Sequence, residues 1–65
     1  MKKVQLQTSA DINDAFLRQL QVEVWDGNRL EDYGGQIERH IKDAARINGV
    51  YYVKSQYQFY ILQEE

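Results

Sequence analysis

His40 is the only histidine in the chain, and Glu38 precedes it by two residues. In an extended strand that spacing puts both side chains on one face, where they could act as an acid–base pair. The other residue types that catalysis needs do not gather around them. There is no cysteine, no serine in a nucleophile-elbow context and no glycine-rich phosphate loop ahead of a helix. A metal site would have to join His40 to Glu38 or Asp43 and to distant ligands, a spacing that matches no recognised pattern. The chain therefore reads as non-enzymatic, with no metal and no cofactor, and His40 as a solvated strand residue.

A second chemistry is recognition by rings and cations. Arg46, Tyr51, Val53 and Tyr60 fall on the face opposite the core inferred below, and Trp25 ends its own strand with outward parity. Aromatic side chains with arginine are the enriched types at protein interfaces. The same rings, with Arg39, Lys42 and Lys54 near them in sequence, would let the bases of a single strand stack while the cations meet phosphates. A net charge of −2 argues against a chain built chiefly to grip a phosphate backbone, and no RNP-type signature is present. The expected partner is a protein or a second copy of the chain. Single-stranded nucleic acid is the alternative. A plainer reading leaves the tyrosines covering a strand or packing beneath a helix, and has Trp25 close the end of a barrel with its indole N–H in water.

The element that must position these residues is a hairpin. Asn48-Gly49 lies between two β-prone runs, and both central residues of a type I′ turn need positive φ, which Asn and Gly reach cheaply. A two-residue turn there opposes Ile47 to Val50, Arg46 to Tyr51 and Ala45 to Tyr52. A second turn centred on Ser55-Gln56 would oppose Tyr52 to Phe59, Val50 to Ile61 and Tyr51 to Tyr60. Opposed residues share a face. One face then holds Ala45, Ile47, Val50, Tyr52, Phe59 and Ile61, a core; the other holds Arg46, Tyr51, Val53, Gln58 and Tyr60. A slip of one residue would exchange the two faces.

Upstream, Val4 and Leu6 alternate with Lys3, Gln5 and Gln7 as in a short half-buried strand. Thr8-Ser9-Ala10-Asp11 opens a helix, with Asp11 as the expected N-cap. Ile12, Ala15, Phe16, Gln19 and Leu20 then follow helical spacing over about two turns. Phe16, Leu20, Val22 and Val24 also share strand parity, so a long strand from Phe16 through Val24 is the rival to a helix over residues 12–20. Val22 and Val24 begin a β pattern, and Asp26-Gly27-Asn28 makes a turn. Gly34-Gly35 marks a bulge or tight bend rather than a phosphate cradle. Beyond it, Ile37 and Ile41 point inward, Glu38 and His40 outward, and Arg39 has inward parity, which puts it at a barrel mouth or marks an irregularity in the strand.

Sixty-five residues make one domain. Such a chain buries only about 60% of its unfolded surface, so its stability is expected to be a few kcal/mol and self-association would add to it. The absence of cysteine suits a reducing cytoplasm. No apolar run approaches the roughly 20 residues of a membrane span, and no apolar signal-peptide core follows Met1-Lys2-Lys3. Charge is uneven: residues 11–32 carry six acids against Arg18 and Arg29, whereas residues 36–54 carry four cations against Glu38 and Asp43. The two regions could pair between copies, or simply form a mixed solvated surface.

The order Val22-Glu23-Val24, Asp26-Gly27, Gly35-Gln36-Ile37-Glu38 and a closing hairpin resembles small SH3-like and Sm-like barrels. There a short N-terminal helix precedes a strongly bent five-strand meander, and a glycine permits the bend. The resemblance spans residues 12–62 in outline. Sm-like proteins are RNA-binding rings, but Tyr52-Val53-Lys54 is only a faint echo of their second signature, so it implies no RNA-binding residues here. The candidate strand before the helix also departs from the Sm layout. The expected architecture is mainly β: a small antiparallel meander closing to an SH3-like barrel with one short N-terminal helix. The alternative is an α+β sheet with the helix packed on one face.

Overall fold

Asn48 and Gly49 have φ of 52° and 80°, both in the left-handed region that a type I′ turn demands. The hairpin they close is part of a longer series in the computed structural model, which describes residues 2–63. In chain order the elements are β1 (Lys2–Leu6), α1 (Ser9–Leu17), β2 (Gln21–Asp26), β3 (Arg29–His40), β4 (Ala44–Ile47), β5 (Val50–Val53) and β6 (Gln58–Gln63). The strands form one six-stranded sheet in the order β1-β6-β2-β3-β4-β5, antiparallel throughout. The chain is thus mainly β with a single short helix among the described residues. β1 and β5 lie at opposite ends of the order, and no ladder joins them.

The first hairpin has the expected register, with Ala45 opposite Tyr52, Arg46 opposite Tyr51 and Ile47 opposite Val50. The second expected hairpin does not exist. β6 pairs with β1 and β2, not with β5, so Tyr52 does not oppose Phe59, nor Tyr51 Tyr60. The cause lies in residues 54–57. The N–H groups of Gln56 and Tyr57 both donate to the Val53 carbonyl, at 3.1 and 3.0 Å, which turns the chain out of the β4–β5 ladder. Phe59 and Ile61 are nevertheless buried, because their shared parity carries both inward whichever strand lies alongside.

The helix starts one turn earlier than expected. Thr8, not Asp11, is the N-cap: its hydroxyl accepts the Asp11 N–H at 3.1 Å. The Asp11 carboxylate reaches back to the N–H groups of Gln7 and Thr8, at 3.1 and 3.2 Å. This is a capping box with Asp in the place of Glu. Ile12 and Ala15 bury the inner face, with Phe16 and Leu20 against the same core. Gln19, at φ 53°, ends the helical turn before β2, and the strand reading of residues 12–20 fails there. Gly27, at φ 62°, supplies the tight turn between Asp26 and Arg29.

β3 is twelve residues long and pairs along its first half with β2 and along its second with β4. Gly34 and Gly35 sit within it, at the change of partner. At Gly35 a Cβ would lie 2.8 Å from the Asn48 Oδ1, so the tip of the β4–β5 hairpin rests on bare backbone. A bulge follows: Ile37 opposes Ile47, but Arg39 opposes Arg46 and His40 opposes Ala45. The extra residue reverses parity. Arg39 therefore turns outward, its inward parity marking this irregularity, whereas His40 turns inward against expectation, and Ile41, just past the strand, is exposed rather than inward.

One core serves the whole sheet. Val22 and Val24 of β2, Ile37 of β3, Ala45 and Ile47 of β4, Tyr52 of β5 and Phe59 and Ile61 of β6 meet Ile12 and Ala15 of the helix. Val50 departs from the expectation. It has core parity but is 48% exposed, because β5 is an edge strand with nothing beyond it.

Candidate functional site: a divided aromatic surface

The five surface residues picked from sequence fall into two groups rather than one. Arg46 and Tyr51 are cross-strand neighbours on β4 and β5, with the guanidinium 5.7 Å from the tyrosine ring centroid. Val53 lies two residues further on the same face. Trp25 and Tyr60 belong to β2 and β6, with ring centroids 6.3 Å apart and planes at 80°. β3 stands between the two groups in the sheet order.

The surroundings of the two groups differ. Trp25 and Tyr60 are half-buried. The Lys3 ammonium of β1 covers both rings, 4.1 Å from one centroid and 4.8 Å from the other. The Trp25 indole N–H donates to the Glu23 carboxylate at 3.1 Å rather than to water. Each polar edge and ring face named here already has a partner. Sequence reading missed Lys3 because the β1–β6 ladder joins residues at opposite ends of the chain, and no local pattern reports that pairing; Glu23, two residues before Trp25 on the same strand face, was within reach of parity alone.

On the hairpin the Tyr51 ring stays open. Tyr51 and Val53 are 45% and 40% exposed, and with Val50 they make three of the four residues of β5 solvent-facing. Arg46 is fixed from below by Glu38, whose carboxylate lies 3.2 Å from the guanidinium and also accepts the Gly49 N–H at 3.0 Å. Glu38 thus belongs to this patch and not to His40. A partly exposed pair of this kind contributes little stability, but it sets the direction of the arginine.

Beneath the hairpin, one carboxylate organises the bend. Asp32 accepts from the Tyr52 hydroxyl at 3.1 Å, from the Asn48 amide at 3.0 and 3.2 Å and from the Gly34 N–H at 3.1 Å. Burial, with this bond to Asp32 next, raises the Tyr52 phenol above its ordinary pKa. Tyr52 is in effect a core residue with its polar end tied to a carboxylate, the usual way for a tyrosine to be buried. The network pins the turn on which the exposed face of β5 depends.

His40 faces Asn13 of the helix, with Nδ1 3.4 Å from the amide oxygen, while its buried Nε2 has no partner among the described residues. Burial, and then the Lys54 charge, lower its pKa from the ordinary value. Lys54 donates to the Lys42 carbonyl at 3.0 Å and lies 3.5 Å from the Ser9 hydroxyl, so it belongs to a structural junction rather than to the aromatic face. Its stem borders a cleft of about 360 Å³, also lined by Leu6, Ile12, Tyr57 and Phe59. Among the described residues no three His, Cys, Asp or Glu side chains converge as metal ligands would, and no helix is long and apolar enough to cross a membrane.

Comparison with known proteins adds no name to this geometry: no family model, no curated protein and no solved structure matches the chain.

Proposed function

We propose that the chain is a non-enzymatic protein-interaction module of the cytoplasm, built on an SH3-like outline, that self-associates through the β4–β5 hairpin. The observation that carries this reading is the exposed, uncharged run of β5 beside an arginine held in place by Glu38. Apolar and aromatic residues left open around an oriented arginine are the composition of an interface centre. Arg46, Tyr51 and Val53 form the proposed contact. Trp25 and Tyr60 flank it from the other half of the sheet.

Light scattering across a concentration series tests the reading. Mass should rise above that of the single chain, and Tyr51→Ser should lower association while leaving circular dichroism unchanged. Equal association in the variant refutes the assignment. A second reading, single-stranded nucleic-acid binding, is favoured only by the Lys3 ammonium beside Trp25 and Tyr60, a cation next to two rings. Trp25 is the sole tryptophan and reports on it directly. Quenching by a random oligonucleotide that fades with salt would support this reading, and unchanged fluorescence at low salt would end it.

A further inference from the structure

The β5 edge is exposed in its backbone as well as its side chains, and the pattern of its free groups specifies a partner. The two-residue turn makes Ile47 and Val50 a hydrogen-bonded pair, and such pairs alternate along an antiparallel ladder. The Lys54 N–H, donating to the Asp43 carbonyl at 2.8 Å, keeps that alternation. Val50 and Tyr52 therefore direct their backbone groups toward β4, and Tyr51 and Val53 direct theirs to the open edge. The peptide between Gly49 and Val50 is trans, as are all peptides among the described residues, so the Gly49 carbonyl, opposite the Val50 N–H, also points outward. Two outward groups are already occupied. The Val53 carbonyl accepts from Gln56 and Tyr57, and the Gly49 N–H donates to Glu38. What remains is the Tyr51 N–H, the Tyr51 carbonyl, the Val53 N–H and the Gly49 carbonyl.

That remainder is complementary to itself. We propose that two copies of the chain pair β5 to β5, antiparallel, about a two-fold axis at Tyr51, joining their sheets; this rests on the self-association reading above and names its geometry. A two-fold perpendicular to a sheet preserves its faces, so only registers that set a residue against its own copy are allowed, and those centred on Tyr51 or on Tyr52 overlap the four-residue strands most. Centred on Tyr51, its N–H meets the partner's Tyr51 carbonyl, and the Val53 N–H meets the partner's Gly49 carbonyl. The two occupied groups then face each other and leave nothing unpaired. Centred on Tyr52, the Tyr51 N–H would instead compete for a Val53 carbonyl that already accepts two bonds.

Side chains agree with the same register. Val50, with core parity but half exposed, falls opposite the partner's Tyr52 and gains the cover it lacks. No charge occurs between Arg46 and Lys54, so the strands can approach without repulsion. The other edge strand, β1, opens with Lys2 and Lys3, both exposed, and charged edges of that kind discourage pairing.

A short edge contact is weak, so masses should be measured up to about 1 mM chain. The wild type should form a dimer. Tyr51→Lys and Tyr51→Glu should each weaken it at least about tenfold with unchanged circular dichroism, and a mixture of the two should restore it, because only this register sets residue 51 against itself. In a chain without cysteine, Tyr51→Cys should cross-link on mild oxidation, the Cα separation of a hydrogen-bonded pair being about 5.5 Å. Val53→Cys should not. A monomeric wild type at the highest concentration overturns both the dimer and the self-association reading. A dimer that survives Tyr51→Lys, or that cross-links at Val53→Cys instead, overturns the strand pairing alone and leaves the module reading in place.

Discussion

Lys3 over Trp25 and Tyr60, and Arg46 over Tyr51, set the same chemistry at two ends of one sheet. In the β1–β6–β2 half the cation covers the rings, the indole N–H is bonded and the edge strand carries two lysines. In the β4–β5 half the cation is tied back to Glu38, the tyrosine stays open and the edge strand carries no charge. A ring beside a cation is therefore open to a partner only where the surroundings leave it free. In the first half it is packing; in the second it faces outward on an unguarded edge.

That contrast holds only if the two halves fold as one body, and the largest predicted effect tests this. Phe59 is buried on β6 at the centre of the shared core, and Phe59→Ala should cost about 3–5 kcal/mol. For a domain with a few kcal/mol in hand, that unfolds most of the population. Hydrogen exchange should then speed up in both halves together. Protection that survives in β4 and β5 alone would show the hairpin to be an independent unit.

Next in size is the turn that separates the open face from the core. Asn48 combines a positive φ with amide bonds to Asp32 and to the Gly34 carbonyl. Asn48→Ala should cost about 2 kcal/mol, from left-handed strain and lost bonds together. Asn48→Gly relieves the strain and keeps the loss, so thermal melting should place it between the two. Equal stability of wild type and Asn48→Ala would show that Asp32 and the turn are not coupled.

Local signals in the sequence reached the hairpin, its register and the division of its faces, because Asn48-Gly49 fixes parity over the residues on either side. They reached the burial of Val22, Val24, Phe59 and Ile61 for the same reason, since parity survives a wrong choice of neighbour strand. They did not reach the neighbour itself. Val24 against Phe59, and Lys3 against Leu62, are long-range ladders that no turn motif announces. The surface was therefore read as one patch when Tyr60 lies across β3 from Tyr51. The bulge after Ile37 left a trace in the sequence, Arg39 at an inward position, which reads as a barrel mouth or an irregularity; the irregularity is what the ladder shows, a charge put out of phase by one inserted residue. Thr8 lost the N-cap to Asp11 in the reading because both are good caps, and only the reciprocal bond distinguishes them.

The two tyrosines give the direct test of the contrast. Tyr60→Ser removes a half-buried ring from Trp25 and Lys3 and should cost about 1–2 kcal/mol of stability, with a blue or red shift of Trp25 emission as its environment changes. Tyr51→Ser removes an exposed ring and should change stability by less than about 0.5 kcal/mol, while lowering association. Denaturant melts of both at low concentration, beside masses at high concentration, separate the roles. A large loss of stability in Tyr51→Ser with no change in mass would make the two regions alike.

The smallest effect concerns the inward turn of His40 that the bulge creates. Its folded pKa lies below the ordinary 6.5, through burial first and the Lys54 charge second. The unfolded chain therefore takes up the proton more readily, and by linkage stability rises with pH through this window. The contribution is complete above about pH 6.5 and is lost progressively as pH falls from there toward the lower, folded value. Melts compared at about pH 7.5 and 5.5 bracket this window, and the His40→Gln variant isolates the histidine. Wild type should lose a little stability at the lower pH, and His40→Gln, which carries no titrating group at that position, should lose less. An equal loss in both would mean that the His40 ring titrates in solvent and not on the inward side that the bulge gives it.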